Sequence, residues 1–265
     1  MNHLRAAYLG PPGTFSHEAA VKFFHPGFDL VPGGTATEVM RLYREKRVDQ
    51  AILAVDTSIG GTVGANLDEI ADLPSVRIIG EIRLAVHHHL MARPAASVDA
   101  IKTVLAHPKA FEECAVWLAR HLPDAPRIPA ASSAVAAQKA GADPAGGTAA
   151  IASKTASDLY GLKILADHIE NSPLNTTRFW IFGRELPPPT AQDRTILLVR
   201  GDLNAVLARL VKAQVRILSL YERPSGGELD ARVYFLDIEG HRQDPPLARF
   251  LSDFPEGRFL GSYPH

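Results

Sequence analysis

The alternation of apolar and polar positions predicts that strands and helices follow one another along this chain. Residues 3–9 are predicted to form a strand, a Gly-Pro-rich loop follows at 10–14, and a helical pattern begins at about residue 16. The next helix opens at Thr35 with a capping-box pattern, and the apolar run 51–55 has the length and composition of a buried strand. This alternation is typical of α/β folds.

A second α/β set follows between two extended segments. Residues 76–91 are predicted to cross to a second lobe, and residues 163–183 to return. The set comprises strands at 103–106, 127–130 and 148–152, and helices at 109–122, 132–140 and 153–160. Two lobes joined by extended crossovers are the architecture of periplasmic binding proteins (type II), which hold ligand in the interlobe cleft. We therefore expect lobe 1 to contain about 1–78 and 164–184, and lobe 2 about 79–163.

The C-terminal quarter of the chain is predicted to be a separate domain, 195–265, behind a linker. Residues 185–194 contain Pro187-Pro188-Pro189 and little apolar periodicity, which indicates a stiff, extended connection. The following pattern predicts a strand at 195–200, a helix at 202–213, strands at 215–221 and 231–238, a helix at 244–253 and a strand near 258–261. This β-α-β-β-α-β order is ferredoxin-like.

Composition favours small-molecule chemistry. The 265 residues are 46% apolar, carry a formal net charge of −1 and contain no long basic run, which argues against nucleic acid or an anionic membrane as partner. No apolar stretch reaches the roughly 18 residues of a membrane span, and the N-terminus does not resemble a signal peptide, so a cytoplasmic protein is expected. Cys114 is the only cysteine, which excludes an intrachain disulfide.

Polar side chains cluster before the apolar run 179–182. Asn175, Thr176, Thr177 and Arg178 place an amide, two hydroxyls and a guanidinium at the mouth of a predicted strand. Such groups suit a pocket that binds a small carboxylate, which arginine can clamp with two hydrogen bonds. A strand threonine and a surface arginine would explain the same residues without any function.

Other loops carry further candidate contacts. Residues 10–16 lack the Gly-Lys-Ser/Thr ending of a phosphate-binding loop, and Thr14 either contacts ligand or caps the following helix. The turn 56–58 and the pair Ser132-Ser133 also precede helices, where capping explains them equally well.

The run His87-His88-His89 raises the question of a metal. In a strand only His87 and His89 share a face, and no carboxylate or cysteine lies at nearby ligand spacing. Metal sites need three or four converging ligands, so no metal site is predicted.

Four separated stretches, in the correct order, resemble prephenate dehydratases that carry a C-terminal ACT domain. They are the loop Tyr8 to Ser16, the segment Ile151 to Leu162, the signature Asn-x-Thr-Arg-Phe at 175–179, and Asp237 to His241 with Phe259 to Pro264. The resemblance implies the two-lobed fold and the decarboxylative dehydration of prephenate to phenylpyruvate, in phenylalanine biosynthesis, without metal or organic cofactor.

The resemblance also implies roles for the candidate residues. Thr177 would be the catalytic hydroxyl, hydrogen-bonded to the departing ring hydroxyl, and Arg178 would clamp a substrate carboxylate. The remaining substrate contacts would be Thr14, Asp56, Thr57, Ser58, Ser132, Asn175 and Phe179. Family members usually carry Glu-Asn-Ser where this chain has Asp56-Thr57-Ser58.

In the C-terminal domain the resemblance implies a phenylalanine effector site. Gly201, Leu203, Arg223 and Pro224 match the family's effector motifs, whereas Asp202, Tyr221 and Glu222 depart from them. We therefore expect phenylalanine at Gly201, Leu203, Glu222, Arg223 and Pro224, across the interface of a homodimer or homotetramer. A domain kept only for dimerisation would have the same fold.

Three other functions fit the same resemblance. Arogenate dehydratase differs by a substrate amino group, and a non-aromatising prephenate decarboxylase would be consistent with the change at Asp56-Thr57. From a different class, a pseudo-enzyme sensor would bind an amino acid and leave prephenate unchanged.

Overall fold

The computed structural model describes residues 4–24, 26–226, 231–255 and 257–265. Residue 3, where the first strand was predicted to begin, lies outside the described residues. The strands are β1 (Leu4–Leu9), β2 (Phe28–Gly33), β3 (Gln50–Thr57), β4 (Gly61–Thr62), β5 (Ile78–Ala85), β6 (His89–Ala92), β7 (Thr103–Ala106), β8 (Arg127–Pro129), β9 (Thr148–Ala152), β10 (Lys163–Ala166), β11 (Thr176–Phe182), β12 (Asp193–Val199), β13 (Ile217–Pro224), β14 (Arg232–Glu239) and β15 (Gly257–Pro264). The helices are α1 (Phe15–Phe24), α2 (Ala36–Arg44), α3 (Gly64–Asp72), α4 (Pro108–Glu113), α5 (Ala115–His121), α6 (Ser133–Ala142), α7 (Lys154–Tyr160), α8 (Leu203–Lys212) and α9 (Pro245–Leu251). None of these helices combines the length and the apolar character that a membrane crossing requires.

Two mixed sheets form the two lobes. The first has the order β2-β1-β3-β11-β5, with β4 on β3, and the second has the order β10-β6-β9-β7-β8. Within each sheet the strands of the βαβ units are parallel, whereas the strands next to the crossings, β11 and β6, run antiparallel to their neighbours. The mixed α/β architecture predicted from the sequence is confirmed.

The chain crosses between the sheets at residues 86–88 and 167–175. The predicted lobe boundaries at 79 and 164 are therefore wrong by several residues: β5 pairs with β11 in the first sheet, and β10 pairs with β6 in the second. Strands β5 and β10 each continue through a predicted boundary, so the strand pattern gave no sign of where one sheet ended.

The single helix predicted at 109–122 is interrupted at Cys114, between α4 and α5. At the break the Asn171 side chain accepts a hydrogen bond from the Val116 N–H (3.1 Å) and donates one to the Glu112 carbonyl (2.9 Å). Asn171 thus satisfies backbone groups that a helix end leaves without partners. Because Asn171 lies more than fifty residues later, the local pattern could not reveal the interruption.

The C-terminal elements follow the predicted order of strand, helix, strand, strand, helix and strand. Their antiparallel sheet has the order β13-β14-β12-β15, and α8 and α9 cover one face with a core that includes Val206, Leu210 and Phe250. The segment 185–192 before β12 contains no helix or strand.

The other face of the C-terminal sheet shares a core with the first lobe, so this region is not the free-standing unit that the linker suggested. Trp180 and Phe182 of β11 belong to one buried cluster with Phe235 of β14 and Leu260 of β15. The Trp180 and Phe235 ring centroids are 5.8 Å apart. At Gly261 a Cβ atom would lie 1.9 Å from the Ile78 carbonyl oxygen, so glycine lets β15 approach β5.

Arg178 lies buried between these two sheets. Its guanidinium donates to Glu81 of β5 and lies 2.7 Å from an Asp237 carboxylate oxygen of β14. The Tyr221 and Tyr263 hydroxyl oxygens accept further hydrogen bonds at 3.1 and 3.0 Å. Burial favours a raised pKa for Glu81, but the Arg178 charge and hydrogen bond hold that pKa below its usual range. The ionised groups therefore form a structural network.

Replacing Arg178 by methionine should lower the free energy of unfolding by about 3–5 kcal/mol, because Glu81 would lose its buried cation and keep only the half-exposed Arg83. Urea denaturation followed by circular dichroism measures this loss. Arg83→Met is the matched control, because Arg83 contacts the same Glu81 carboxylate at 3.1 Å but does so with its side chain 50% exposed. The control should lose no more than about 1 kcal/mol. Equal losses in the two variants would contradict the role assigned to the buried network.

Candidate active site

A cleft of about 690 Å³ separates the two lobes. Its polar lining comes from both lobes and from the crossing segments. The side chains that can meet a ligand there are those of Thr14, Ser16, Thr57, Thr62, His88, His107, Lys109, Glu113, Ser132, Ser133, Asn175 and Thr177. Sites between lobes suit small polar ligands because both walls contribute groups and water is largely excluded.

Two hydroxyls stand side by side on the wall formed by the first sheet. Thr177 on β11 pairs directly with Thr57 on β3, and both line the cleft. The Thr57 hydroxyl oxygen accepts a hydrogen bond from the Gly60 N–H at 2.8 Å, whereas Thr177 is 8% exposed and faces the cleft. The register of the two strands fixes the spacing of these groups.

A largely buried carboxylate organises the part of the cleft near the crossings. Glu113, at the end of α4, accepts a hydrogen bond from the Asn175 amide at 2.9 Å and lies 2.8 Å from His88 Nε2. Burial favours a raised pKa for Glu113, but the His88 and Asn175 hydrogen bonds and the Lys109 charge hold its pKa below the usual range. The ionised Glu113 therefore fixes the orientation of the amide and the imidazole.

The loop at residues 10–14 is held by the opposite lobe. The Ser153 hydroxyl donates to the Gly13 carbonyl (3.1 Å), and the Tyr160 hydroxyl donates to the Pro12 carbonyl (2.8 Å). Gly13 has a φ of 92°, and a Cβ there would lie 3.0 Å from the Tyr160 ring. Thr14 both lines the cleft and caps α1, because its hydroxyl oxygen accepts from the His17 N–H at 3.2 Å. Capping and a ligand contact are thus compatible at this residue.

Positive potential comes from the second lobe. Lys109 is the one lysine or arginine among the described residues that line the cleft, and it also pairs with Glu112 at 3.1 Å. Ser132 caps α6 by accepting from the Val135 N–H (3.1 Å), so the N-terminus of that ten-residue helix opens toward the cleft beside Ser133. Backbone N–H groups at a helix N-terminus favour anions.

Four of the residues expected in the site lie elsewhere. Arg178 was expected to clamp a carboxylate, but adjacent residues of a strand face opposite sides, so its guanidinium lies in the network between the sheets. Phe179 is 1% exposed in the core against α1. Asp56 and Ser58 line a separate groove near Arg178, and the Ser58 hydroxyl donates to the Leu174 carbonyl at 2.8 Å. Thr14, Thr57, Ser132, Asn175 and Thr177 do converge.

Sequence reasoning did not single out Glu113, Lys109 or His107. Glu113 and Lys109 lie on a short helix with no distinctive motif, and no local signal distinguishes them from solvent-exposed charges. Within the histidine run, His88 is the member that reaches the cleft.

The expected effector residues occupy one end of the C-terminal sheet. β12 ends at Val199 opposite Tyr234, and β13 ends at Pro224 opposite Arg232, so Gly201 and Leu203 follow the same sheet end that carries Glu222 and Pro224. The Arg223 guanidinium makes two hydrogen bonds to Asp68 of α3, at 2.7 and 2.8 Å. Arg223 therefore also contacts the first lobe.

Comparisons with known proteins agree with this architecture and cleft. Residues 6–187 match the family model described as prephenate dehydratase. A prephenate dehydratase of Mycobacterium sp. (strain JLS) is 35% identical, and the match spans 98% of this chain and 89% of that protein.

Two solved structures are similar over nearly the whole chain. The prephenate dehydratase of Arthrobacter aurescens in complex with L-Phe has a TM-score of 0.90 and 30% identity, covering 99% of this chain and 90% of that one. GqqA, described as a novel type of quorum quenching acylase, has a TM-score of 0.85 and 27% identity, covering 98% and 97%. The family model covers well over half of the sequence and the Mycobacterium relative almost all of it, so this chain belongs to the prephenate dehydratase family.

Proposed function

We propose that the interlobe cleft converts prephenate to phenylpyruvate with Thr177 as its catalytic hydroxyl. The observation that carries this proposal is the convergence of Thr177, Thr57 and Asn175 beside the hydrogen-bonded Glu113–His88 pair. The experiment that tests it is an incubation with prephenate, followed by absorbance and mass. Phenylpyruvate is expected, whereas a dihydro-hydroxyphenylpyruvate would indicate a non-aromatising decarboxylase and unchanged prephenate a sensor.

The reaction places modest demands on the protein. The electron pair of the bond to the ring carboxylate moves into the ring as carbon dioxide leaves, and the carbon–oxygen bond to the ring hydroxyl breaks as the ring becomes aromatic. Thr177 cannot exchange a proton freely at neutral pH, so it acts by donating a hydrogen bond to the departing hydroxyl, which takes up a proton from solvent and leaves as water. Positioning by the cleft supplies the rest.

The substrate carries two carboxylates that the cleft must bind. Because Arg178 lies outside the cleft, groups of the second lobe take the place of its expected carboxylate clamp. Lys109 supplies a formal charge, and the α6 N-terminus with Ser132 and Ser133 supplies hydrogen-bond donors.

Of the residues 56–58, where this chain departs from the family pattern, only Thr57 changes the lining of the cleft. Asp56 lines the separate groove and Ser58 bonds to Leu174, so only Thr57 contributes a side chain to the cleft lining. Thr57 offers a hydroxyl where the family has an amide, and that hydroxyl keeps donor and acceptor capacity beside Thr177.

An acylase activity is the second candidate, because GqqA is similar over the whole chain. Acyl transfer through a protein hydroxyl requires a base hydrogen-bonded to that hydroxyl. Among the described residues, His88 Nε2 is bonded to Glu113, and no cleft hydroxyl is hydrogen-bonded to either group. The arrangement supports a dehydratase, which needs no covalent intermediate.

We propose further that residues 195–265 form an ACT domain that binds phenylalanine and that the chain assembles as a homodimer or homotetramer. The element order, the position of Gly201, Leu203, Glu222, Arg223 and Pro224 at one sheet end, and L-Phe in the Arthrobacter structure support this proposal. Cytoplasmic location remains a prediction.

Thr177→Ala should lower turnover by about 10²-fold or more while the Michaelis constant changes little, because the lost hydrogen bond forms mainly in the transition state. Steady-state kinetics with prephenate measure both constants. Thr177→Ser keeps the hydroxyl and should retain most of the activity. A Thr177→Ala enzyme within about twofold of the parent would remove Thr177 from the mechanism.

Lys109→Met should raise the Michaelis constant for prephenate by about 10-fold or more, because a charge-assisted contact to carboxylate would be lost. Lys154→Met is the control, since Lys154 pairs with Asp158 at the surface with both side chains 65% exposed. The same kinetic assay serves both variants. If the two Michaelis constants change equally, Lys109 does not bind the substrate.

Phenylalanine should bind the intact chain more weakly than it binds the Arthrobacter enzyme, because Asp202, Tyr221 and Glu222 depart from the effector motifs. Calorimetric titration of both proteins compares the affinities. Gly201→Leu should abolish the heat of phenylalanine binding, while light scattering should still show an oligomer. Val211→Ala is the matched control, because Val211 lies on α8 and is 69% exposed. A monomeric parent, or unchanged binding in Gly201→Leu, would reject the assignment.

A further inference from the structure

A cluster of imidazoles and one carboxylate lies where the two crossings pass each other. His87 lies on the first crossing, and His168 and Glu170 lie on the second. None of the three lines the cleft, so the dehydratase mechanism does not use them. Sequence spacing does not indicate this cluster, because about 80 positions separate His87 from the other two residues.

Three potential ligand atoms in this cluster converge on one point. His87 Nδ1 lies 2.9 Å from Glu170 Oε1 and 3.0 Å from His168 Nδ1, and His168 Nδ1 lies 3.4 Å from the same carboxylate oxygen. A metal held about 2.1 Å from each ligand requires ligand atoms roughly 3.0 Å apart in octahedral geometry and roughly 3.4 Å apart in tetrahedral geometry. The observed separations span that range.

The Glu170 carboxylate is held in place and has no lysine or arginine as an ion-pair partner among the described residues. The Glu170 side chain is 2% exposed, and its second oxygen accepts the His88 backbone N–H at 2.9 Å. In the described part of the chain, the side chains that contact its carboxylate are those of His87 and His168.

The two histidines leave room for further ligands. Their side chains are 35% and 58% exposed, so water can reach the open side of the cluster. His168 has a φ of 49°, an uncommon conformation for a residue other than glycine, which places it beside His87 with ring centroids 4.2 Å apart. Two imidazoles, one carboxylate and water form a ligand set typical of zinc-class divalent ions.

We propose that His87, His168 and Glu170 bind a divalent transition-metal ion such as Zn²⁺, which would join the two crossings between the lobes. The ion would be structural, since its ligands lie outside the cleft. It would limit lobe movement because each crossing would supply at least one ligand. His88 connects the ion to the cleft: its N–H holds Glu170, and its side chain contacts Glu113.

Calorimetric titration of ZnCl₂ into the EDTA-treated full-length chain tests the proposal. One ion per chain should bind. His168→Gln and Glu170→Gln should each weaken zinc binding by at least about 100-fold, which is more than the loss expected for a residue that only contacts the metal ligands. His121→Gln is the matched control, since His121 lies on α5 against Trp117, outside the cluster. Its affinity should equal that of the parent.

Two further readouts separate this site from chance contacts. The visible absorption of bound Co²⁺ should be lost in His168→Gln. This variant should fold normally, because the His168 side chain is 58% exposed. Hydrogen exchange at residues 86–88 and 167–175 should slow on addition of Zn²⁺ in the parent and remain unchanged in the variant. No binding to the parent at about 100 μM Zn²⁺, or equal binding by His168→Gln and the parent, would overturn the proposal, the latter by showing that the ion binds elsewhere.

Discussion

The ion pairs of Arg178 hold strand β11 between two different surfaces. Its guanidinium contacts Glu81 of the first sheet and Asp237 of the C-terminal sheet, and the preceding residue, Thr177, faces the cleft. The two side chains point to opposite sides of the strand but share its backbone, so a shift of the backbone at Arg178 also moves Thr177. The position of the proposed catalytic hydroxyl thus depends on the contact between the sheets.

The same arrangement gives an effector a physical route to the cleft. Arg223 bonds to Asp68 of α3, and Trp180 packs against Phe235 across the shared core. A change in the C-terminal sheet would act on β11 through packed side chains and a buried ion pair. Two discrete arrangements of such a contact would provide the coupling free energy that allosteric control requires.

Sequence reasoning was strongest where function depended on local order and weakest where it depended on distant contacts. The strand and helix order, the Thr35 cap and the polar residues before β11 could be inferred from neighbouring positions. The orientation of Arg178 was also available in principle, since residues adjacent to Thr177 on a strand cannot share its face. Glu113 could not be found in this way, because His88 and Asn175 reach it from positions 25 and 62 residues away.

The continuous core between β11 and the C-terminal sheet restricts how members of this family can exchange parts. Joining the first 184 residues to the C-terminal region of a relative would place unmatched side chains against Trp180 and Phe182, and a bulkier residue at Gly261 would strike the β5 backbone. Recombination at the proline-rich segment therefore requires compensating substitutions on both sides of the junction. The regions on either side of that segment must evolve as one unit, although the chain between them has the composition of a linker.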